Sequence, residues 1–184
     1  MFSRVGGITM ENLTIENKDA FALLYQKHID ELIEYSLRLT ADKELIKDVI
    51  QDTFVQLWQR REKLENIISV KAYLITCIRR EIIKRIKNSR LTNNDFNSQE
   101  FVSVECTEDL VMKSHDEKLR SEKIIEAVKR LPIRQQEVIF LRFYSELEFF
   151  EIAKIMNIRL RSVYKVLYKA LNNLKGNFSA NMLR

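Results

Sequence analysis

The chain contains very few residues that interrupt a helix: one proline, Pro132, and three glycines among 184 residues. Proline and glycine are the two residue types that most strongly disfavour a helix interior. Apolar residues make up 46% of the chain and recur mostly at spacings of three and four, which places them on one face of an α-helix. The sequence therefore predicts an all-α protein.

The apolar periodicity falls into two stretches, which predict two small helical domains at residues 19–88 and 113–184. Between them, residues 89–112 lose the periodicity and gain Asn, Ser and Thr, a composition typical of a flexible linker. Residues 1–18 are expected to form a disordered N-terminus. Domains of this size bury only a modest core, so a partner protein is expected.

Local signals predict several helix ends. Asp42 is a predicted N-cap before a helix over residues 43–61. A further helix is predicted over residues 70–87, and Pro132 is expected to start or precede a later one. Residues 131–175 are predicted to form a four-helix unit whose last two helices make a helix-turn-helix.

The predicted helix-turn-helix ends in a helix with one apolar and one cationic face. Asn157 is predicted to lie at the turn. Asparagine tolerates the left-handed conformation that glycine would otherwise supply there. The small side chain of Ala153 allows the two helices to approach closely. From Arg159 to Lys175 there are five basic residues and no acidic one. A solvated face usually mixes both signs of charge, so this pattern favours contact with DNA.

The two faces of the last helix follow from its residue spacing. The apolar face is predicted to consist of Val163, Val166, Leu167, Ala170 and Leu174. The opposite side is predicted to carry Arg161, Lys165, Tyr168, Lys169 and Asn172.

The predicted helix over residues 70–87 has the same two-faced character. Its apolar seam consists of Ile75, Ile78, Ile82 and Ile86. The other side carries Tyr73, Arg79, Arg80, Lys84 and Lys87, with Arg85 beside them. An aromatic ring among cations suits single-stranded or opened DNA, because bases stack on the ring. A surface tyrosine with only its hydroxyl in water is the alternative, and both interpretations of Tyr73 are open at this stage.

The predicted helix over residues 43–61 presents a third kind of surface, the acidic strip. Its residues are Asp48, Gln51, Asp52, Val55 and Gln59, with Trp58 at the border. A mixed acidic and apolar strip with a tryptophan favours protein docking over a solvent-exposed face. Trp58 as an ordinary core residue is equally compatible with the pattern.

Charge and residue types exclude several functions. Residues 71–90 carry seven basic residues and one acidic one, whereas residues 91–122 carry three basic and eight acidic residues. Cationic blocks separated by an acidic one indicate two nucleic-acid surfaces.

The two cysteines and two histidines lack disulfide or metal-ligand spacing. No constellation typical of an enzyme is present, so no catalytic residue, metal or cofactor is expected. No signal peptide or transmembrane run is evident, which predicts a cytoplasmic protein.

In their order along the chain, these motifs resemble the extracytoplasmic-function (ECF) branch of the bacterial sigma-70 factors. The resemblance covers residues 19–175. In the first domain it rests on FALLY at 21–25, DVIQDTF at 48–54, LW at 57–58 and AYL at 72–74. In the second it rests on LP at 131–132, EV at 137–138, EIA at 151–153, Val163 and AL at 170–171.

The resemblance implies a non-catalytic factor that binds core RNA polymerase and directs promoter-specific transcription initiation. It also implies control by an anti-sigma factor, often membrane-anchored. Carried over by position, the polymerase contacts are Asp48, Gln51, Asp52, Phe54 and Trp58. The −10 DNA contacts are the loop 62–69 together with Tyr73, Arg79, Arg80, Lys84 and Lys87. The −35 DNA contacts are Arg159, Arg161, Ser162, Lys165, Tyr168 and Lys169.

The chain departs from the family pattern at four places. Arg80 replaces an asparagine in the −10 helix, and residues 146–148 read Glu-Leu-Glu in place of Gly-Leu-Ser. Asn157 replaces the glycine of the turn. Arg159 replaces the Ser or Thr cap of the last helix, a loss of on the order of 1 kcal/mol in helix initiation. The two added carboxylates are expected to weaken a nearby phosphate site.

Two other functions are compatible with these motifs. A stand-alone helix-turn-helix regulator would bind duplex DNA without polymerase, as a dimer on two half-sites, with the first domain as a sensor or dimeriser. The cationic 70–87 helix and the acidic strip favour a sigma factor over this regulator. A degenerate sigma paralogue, which binds polymerase without initiating, is the other alternative, given Arg80 and Arg159.

Overall fold

The structure, a computed structural model, describes residues 18–61, 68–93 and 123–181. Every regular element in these ranges is helical, which confirms the predicted all-α class. Contacts divide the chain into two compact units, residues 1–100 and 101–184. The first unit contains α1 (Lys18–Leu37), α2 (Lys43–Gln59) and α3 (Val70–Asn93). The second contains α4 (residues 123–129), α5 (Ile133–Ile139), a π-helical turn (Phe140–Tyr144), α6 (Phe149–Met156) and α7 (Leu160–Asn181).

The first unit is a three-helix bundle in which each helix packs against the other two. Its core residues are each no more than 2% exposed: Leu24, Leu32, Tyr35, Val49, Ile50, Leu57, Leu74, Ile75, Ile78 and Ile82. The predicted apolar seam of α3 is thus buried at its first three positions, and Ile86 is half-buried. At the edge of the core, Lys71 Nζ lies 2.9 Å from Glu31 Oε2 and links α3 to α1.

Two predicted boundaries in the first unit can be compared with the structure. Asp42 caps α2 as predicted, because its Oδ1 accepts a hydrogen bond from the Leu45 N–H at 3.0 Å. The predicted end of α3 was too early, since the helix continues to Asn93. Asn, Ser and Thr have low helix propensity, but extending an existing helix costs little where no Gly or Pro interrupts it. The segments 1–17 and 94–122, which include most of the predicted linker, lie outside the described residues.

The second unit packs α5 and α6 against α7. Val138, Leu141, Ile152, Val163 and Ala170 are fully buried and form its core. Asn173 Nδ2, on α7, also donates to Gln135 Oε1 of α5 at 2.9 Å. The prediction of four helices within residues 131–175 is wrong in detail, because that range holds three α-helices and the π-helical turn. The fourth helix, α4, precedes it.

Pro132 and the π-helical turn define the two ends of α5. Pro132 occupies the N-cap position of this helix, where its missing N–H removes no helical hydrogen bond. At the other end the helix widens into the π-helical turn, closed by the Ser145 N–H donating to Phe140 O at 3.0 Å. A π-helical turn holds one residue more than an α-helical turn, so it shifts the face on which the following residues lie.

The turn between α6 and α7 has the conformation that the sequence predicted. Asn157 adopts φ 52° and ψ 50°, which is the left-handed region. The Ile158 N–H donates to Ala153 O at 3.0 Å, and the Asn157 N–H donates to Lys154 O at 3.3 Å. This pair of bonds is a Schellman motif, which satisfies the last carbonyls of a helix. The helix-turn-helix therefore rests on backbone geometry at Asn157.

Candidate nucleic-acid and protein interfaces

An apolar groove of about 530 Å³ lies between α1 and α2. Phe54 forms its floor and is only 4% exposed. The Phe21 ring stands edge-on to the Phe54 and Trp58 rings, with centroids 5.9 and 5.0 Å away. The Tyr25 ring stands edge-on to Phe54 at 4.8 Å. These ring contacts show that the amino-terminal part of α1 packs antiparallel to the carboxy-terminal part of α2.

The groove contains part of the predicted polymerase surface. Gln51, Phe54 and Trp58 line it, whereas Asp48 and Asp52 are exposed on the same helix but do not line it. Phe54 was predicted as a direct contact, yet its burial leaves little of the ring for a partner. Phe54 lies on the side of α2 that faces α1, and its ring supports the groove from below.

Trp58 is neither a core residue nor a freely exposed one. Its side chain is half-buried and lines the groove. One side of the indole meets Phe21, and the guanidinium of Arg61 lies 4.5 Å from the ring centroid. Arg61 Nη1 also donates to the Trp58 carbonyl at 3.0 Å, which fixes the guanidinium in place. This cation–π contact holds the indole in one orientation at the end of the groove.

Asp52 has a partner that the sequence patterns did not reveal. Arg85 Nη2, on α3, donates to Asp52 Oδ2 at 2.5 Å, and Arg85 Nε donates to Glu81 Oε1 at 3.1 Å. The hydrogen bond to Asp52 raises the pKa of Arg85 above its ordinary value. Asp52 and Arg85 are 33 positions apart, so only the packing of α2 on α3 brings them together. One residue of the acidic strip is therefore tied to the cationic helix.

The cationic side of α3 is present as predicted, although its residues differ in exposure. Arg80, Lys84 and Lys87 are exposed, whereas Tyr73 and Arg79 are half-buried. Burial raises the pKa of Tyr73, and the nearby Cys77, one turn further along, raises it as well. Of the predicted −10 loop, residues 62–67 lie outside the described residues. The role of Tyr73 in stacking on bases stays a prediction.

The exposed side of α7 is rich in cationic and aromatic residues. Arg159, Arg161, Lys165 and Lys169 are exposed, and Tyr168 is 68% exposed. Within the part of the chain that the structure describes, none of these four cations pairs with a carboxylate. Ser162 is half-buried near the start of the helix, and its N–H donates to Arg159 O at 2.8 Å. The predicted face therefore offers unneutralised positive charge.

A second aromatic residue, Tyr164, lies on α7 beside this cationic side and was not among the predicted contacts. It is 49% exposed. Its ring lies 4.5 Å from the Phe149 ring of α6, between centroids, which fixes its orientation. The spacing of four residues from Tyr168 could have revealed it, because i and i+4 positions share a helix face.

Of the two added carboxylates before α6, Glu148 has a structural role. Glu148 is the N-cap of α6, and its N–H donates to Glu151 Oε2 at 2.8 Å. Glu148 Oε1 lies 3.6 Å from Arg142 Nη1, so its charge is partly balanced. Glu146 adopts φ 55°, the left-handed region that favours glycine. Glutamate therefore stands where the family pattern has glycine, in a backbone conformation that favours glycine.

Three further observations concern the chemistry of the described residues. Burial raises the pKa of the Cys77 thiol and lowers that of His28. No group of three metal-ligating side chains occurs within residues 18–61, 68–93 and 123–181. Over the same ranges, no helix has the length and apolarity needed to cross a bilayer.

Family models match both units of the chain. The model of sigma-70 region 2 matches residues 24–92, which cover most of the three-helix bundle. The model of sigma-70 region 4 matches residues 121–174, which cover α4 to α6 and most of α7. Both models describe parts of one family, and they match in the order that the motifs predicted. The chain belongs to the sigma-70 family.

Relatives of this sigma-70 family member carry names from the same branch that the motifs indicated. The RNA polymerase sigma factor YlaC of Bacillus subtilis is 25% identical over 172 residues, covering 90% of this chain and 95% of the relative. The ECF RNA polymerase sigma factor SigL of Mycobacterium tuberculosis is 29% identical over 154 residues, covering 83% of this chain and 85% of the relative. These matches confirm the resemblance to the ECF branch.

Solved structures share the fold, and two of them are complexes. The sigma factor RpoE in complex with the anti-sigma factor NepR from Bartonella quintana has a TM-score of 0.62 and 19% identity, covering 86% of this chain and 96% of that one. The structure of CnrH in complex with the cytosolic domain of CnrY has a TM-score of 0.60 and 17% identity, covering 94% of this chain and 96% of that one. At these identities the likeness shows the fold.

Proposed function

We propose that this sigma-70 family member is an ECF sigma factor that binds core RNA polymerase and directs initiation at its own set of promoters. One observation supports this most: a single three-helix unit carries both an apolar groove and a cationic helix. A stand-alone regulator does not need the second cationic helix, because its helix-turn-helix suffices for DNA. The factor acts by binding and has no catalytic step of its own.

Polymerase binds the groove and the acidic strip beside it. Trp58 and Val55 supply apolar contact area, with Val55 48% exposed, and Asp48 and Gln51 supply polar contacts. Aromatic anchors within a partly polar surface are typical of the residues that dominate binding energy at protein interfaces. Phe54 acts indirectly, by holding the Phe21 and Tyr25 rings in position.

The −10 element contacts α3 and the loop before it. Arg80, Lys84 and Lys87 are exposed and suit phosphates, and Arg79 and Tyr73 lie beside them. A ring beside cations binds unstacked bases with little sequence preference. Sequence preference at −10 then depends on Arg80, which stands where the family pattern has asparagine.

The −35 element contacts α7, which enters the major groove with its amino-terminal residues towards the bases. Arg159, Arg161 and Ser162 are at that end, and Lys165, Tyr168 and Lys169 follow along the same helix. Arginine reads guanine by two hydrogen bonds, whereas lysine further along the helix suits phosphates. We therefore assign base contact to Arg161 and phosphate contact to Lys169.

An anti-sigma factor is the proposed inhibitor. The RpoE and CnrH structures each contain a bound second protein, NepR in one and the cytosolic domain of CnrY in the other. A membrane-anchored inhibitor would hold the factor at the inner face of the membrane until a signal arrives. Because polymerase and promoters are cytoplasmic in bacteria, we propose the same location for this chain.

Run-off transcription with core polymerase on a library of genomic fragments tests the proposal. The unaltered chain should give promoter-specific transcripts and co-purify with polymerase. Asp48→Arg combined with Gln51→Ala should abolish both without changing the helical circular dichroism. Asp30→Arg, the same charge change at an exposed residue of α1, is the control and should retain both.

Three outcomes distinguish the candidate functions. Transcripts that depend on Asp48 and Gln51 support the sigma factor. Polymerase binding without transcripts from any fragment identifies a degenerate paralogue. Tight duplex binding by a dimer without polymerase identifies a stand-alone regulator and contradicts the proposal.

A further inference from the structure

The α1–α2 groove is an apolar surface that nothing in the three-helix bundle covers. Tyr25 is 40% exposed and Val55 is 48% exposed, and both line it. Removing exposed apolar area from water is favourable. A patch of this kind on a small domain marks a binding site. When the protein is not bound to polymerase, a different occupant is needed to cover the groove.

The chain itself supplies a segment at the groove. Lys18, the first residue of α1, lines the groove, so the residues before it are tethered at its edge. They include Glu-Asn-Leu-Thr-Ile-Glu at positions 11–16. Leu13 and Ile15 are separated by one residue, and in an extended chain they point to the same side. The segment therefore combines an apolar edge with a position beside an apolar groove.

Charge also matches between the segment and the groove. Lys18 and Lys47 lie at the groove, and no carboxylate is among the residues that line it. The segment carries Glu11 and Glu16, with no basic residue between positions 5 and 17. Two carboxylates facing two ammonium groups favour docking, with a strength that falls as salt rises.

The lengths of the two partners agree. Lys47 and Gln59 mark the extent of the groove along α2, and twelve helical steps correspond to about 18 Å. Five extended steps from Glu11 to Glu16 correspond to about 17 Å. Asn17 supplies a residue type that favours the reversal needed between the segment and α1. Because α1 and α2 are antiparallel, Glu11 then reaches Lys47 while Glu16 stays near Lys18.

We propose that residues 11–16 dock in the α1–α2 groove as an extended segment, with Leu13 and Ile15 against Trp58 and Val55. The segment and polymerase then compete for the groove, a consequence that rests on the proposed function. A groove that is closed nine-tenths of the time lowers the apparent affinity for polymerase about tenfold. The segment thereby acts as an internal competitor that polymerase displaces.

Trp58 reports on the groove directly, because it is the single tryptophan of the chain. The test compares the full chain carrying Leu13→Ser and Ile15→Ser with a control carrying Ile8→Ser and Met10→Ser. Both pairs remove two apolar side chains from the same end of the chain, and both leave the described helices unaltered. Acrylamide quenching of Trp58 is measured for each without polymerase. The first variant should show increased quenching, and the control should match the unaltered chain.

A synthetic peptide of residues 8–17 provides a second measurement. Added to the Leu13→Ser, Ile15→Ser chain, it should restore protection of Trp58, and a peptide with the same two serines should not. High salt should weaken the restored protection. With polymerase, the Leu13→Ser, Ile15→Ser chain should bind up to about tenfold more tightly.

The outcomes separate docking from its functional consequence. Equal quenching in the two variants and the unaltered chain would overturn the proposal. Protection of Trp58 that rises with protein concentration would also overturn it, because the occupant would then be a second copy. Increased quenching with unchanged polymerase affinity would support docking and contradict the assignment of the groove to polymerase.

Discussion

Glu146 is the position at which a single substitution should stabilise the second unit. Its φ of 55° lies in the left-handed region, which costs a residue with a Cβ about 1–2 kcal/mol. The neighbouring backbone cannot relax this strain. The Ser145 N–H donates to Phe140 O and the Leu147 N–H donates to Leu141 O, each at 3.0 Å. Arg142 Nη1 also donates to Leu147 O at 2.9 Å.

Glu146→Gly should raise the free energy of unfolding of this unit by about 0.5–1 kcal/mol. The substitution relieves the strain, but glycine also makes the unfolded chain more flexible, which offsets about 0.4–1 kcal/mol of the gain. For a unit of about 60 residues, this corresponds to a rise of about 2–8 °C in Tm. Circular dichroism of the full chain during heating measures it, and only the transition of the second unit should move.

Two matched variants isolate the cause. Glu146→Ala removes the same carboxylate but keeps a Cβ, so it should give no gain. Asn157→Gly relieves a similar φ of 52°, but asparagine tolerates that region well, so the gain should be smaller. If Glu146→Ala raised Tm as much as Glu146→Gly, the carboxylate and not the backbone would be the source of strain, and the reasoning would be refuted.

Three further predictions concern DNA binding, pH and packing. Lys169→Ala should weaken DNA binding on all sequences and reduce the slope of log affinity against log salt concentration by about one. Arg161→Ala should instead relax the base preference at one or two −35 positions. Identical behaviour of the two variants on random DNA would exclude base reading by Arg161. Burial lowers the pKa of His28 from 6.5, so its contribution to stability is intact above about pH 6.5 and declines as the pH falls below that value. His28→Gln should flatten the decline of Tm between about pH 7 and pH 5, and an unchanged slope would count against the buried neutral imidazole. Ile78→Ala, at a fully buried site, should cost about 2–5 kcal/mol in urea unfolding, and a loss well below 1 kcal/mol would contradict its place in the core.

The features that the sequence predicted correctly depend on residues close together in the chain. Asp42 caps α2 through the Leu45 N–H, three positions on. The left-handed turn at Asn157 involves hydrogen bonds to residues within five positions. The cationic side of α7 and the buried seam of α3 follow from helical spacing alone. Local chemistry decides each of these features, so each can be predicted from a single sequence.

The features that the sequence did not predict depend on packing between elements. The π-helical turn at Phe140–Tyr144 accommodates the buried Leu147 and the core of the second unit, which no local propensity encodes. Phe54 lies below the groove because α1 covers its side of α2. The α3 helix extends to Asn93 because no residue there stops it. The left-handed backbone at Glu146 was only partly predictable. The family pattern has glycine at this position, but glutamate itself does not indicate a left-handed conformation.

The contact between Asp52 and Arg85 has a consequence for genetics. Alleles at Asp52 that abolish transcription do not by themselves identify a polymerase contact, because each also releases Arg85 on α3. A charge-swapped pair, Asp52→Arg with Arg85→Asp, rebuilds the contact in reverse. Suppression of one allele by the other would assign the residue to the scaffold of region 2. Two alleles that act independently would assign Asp52 to the partner.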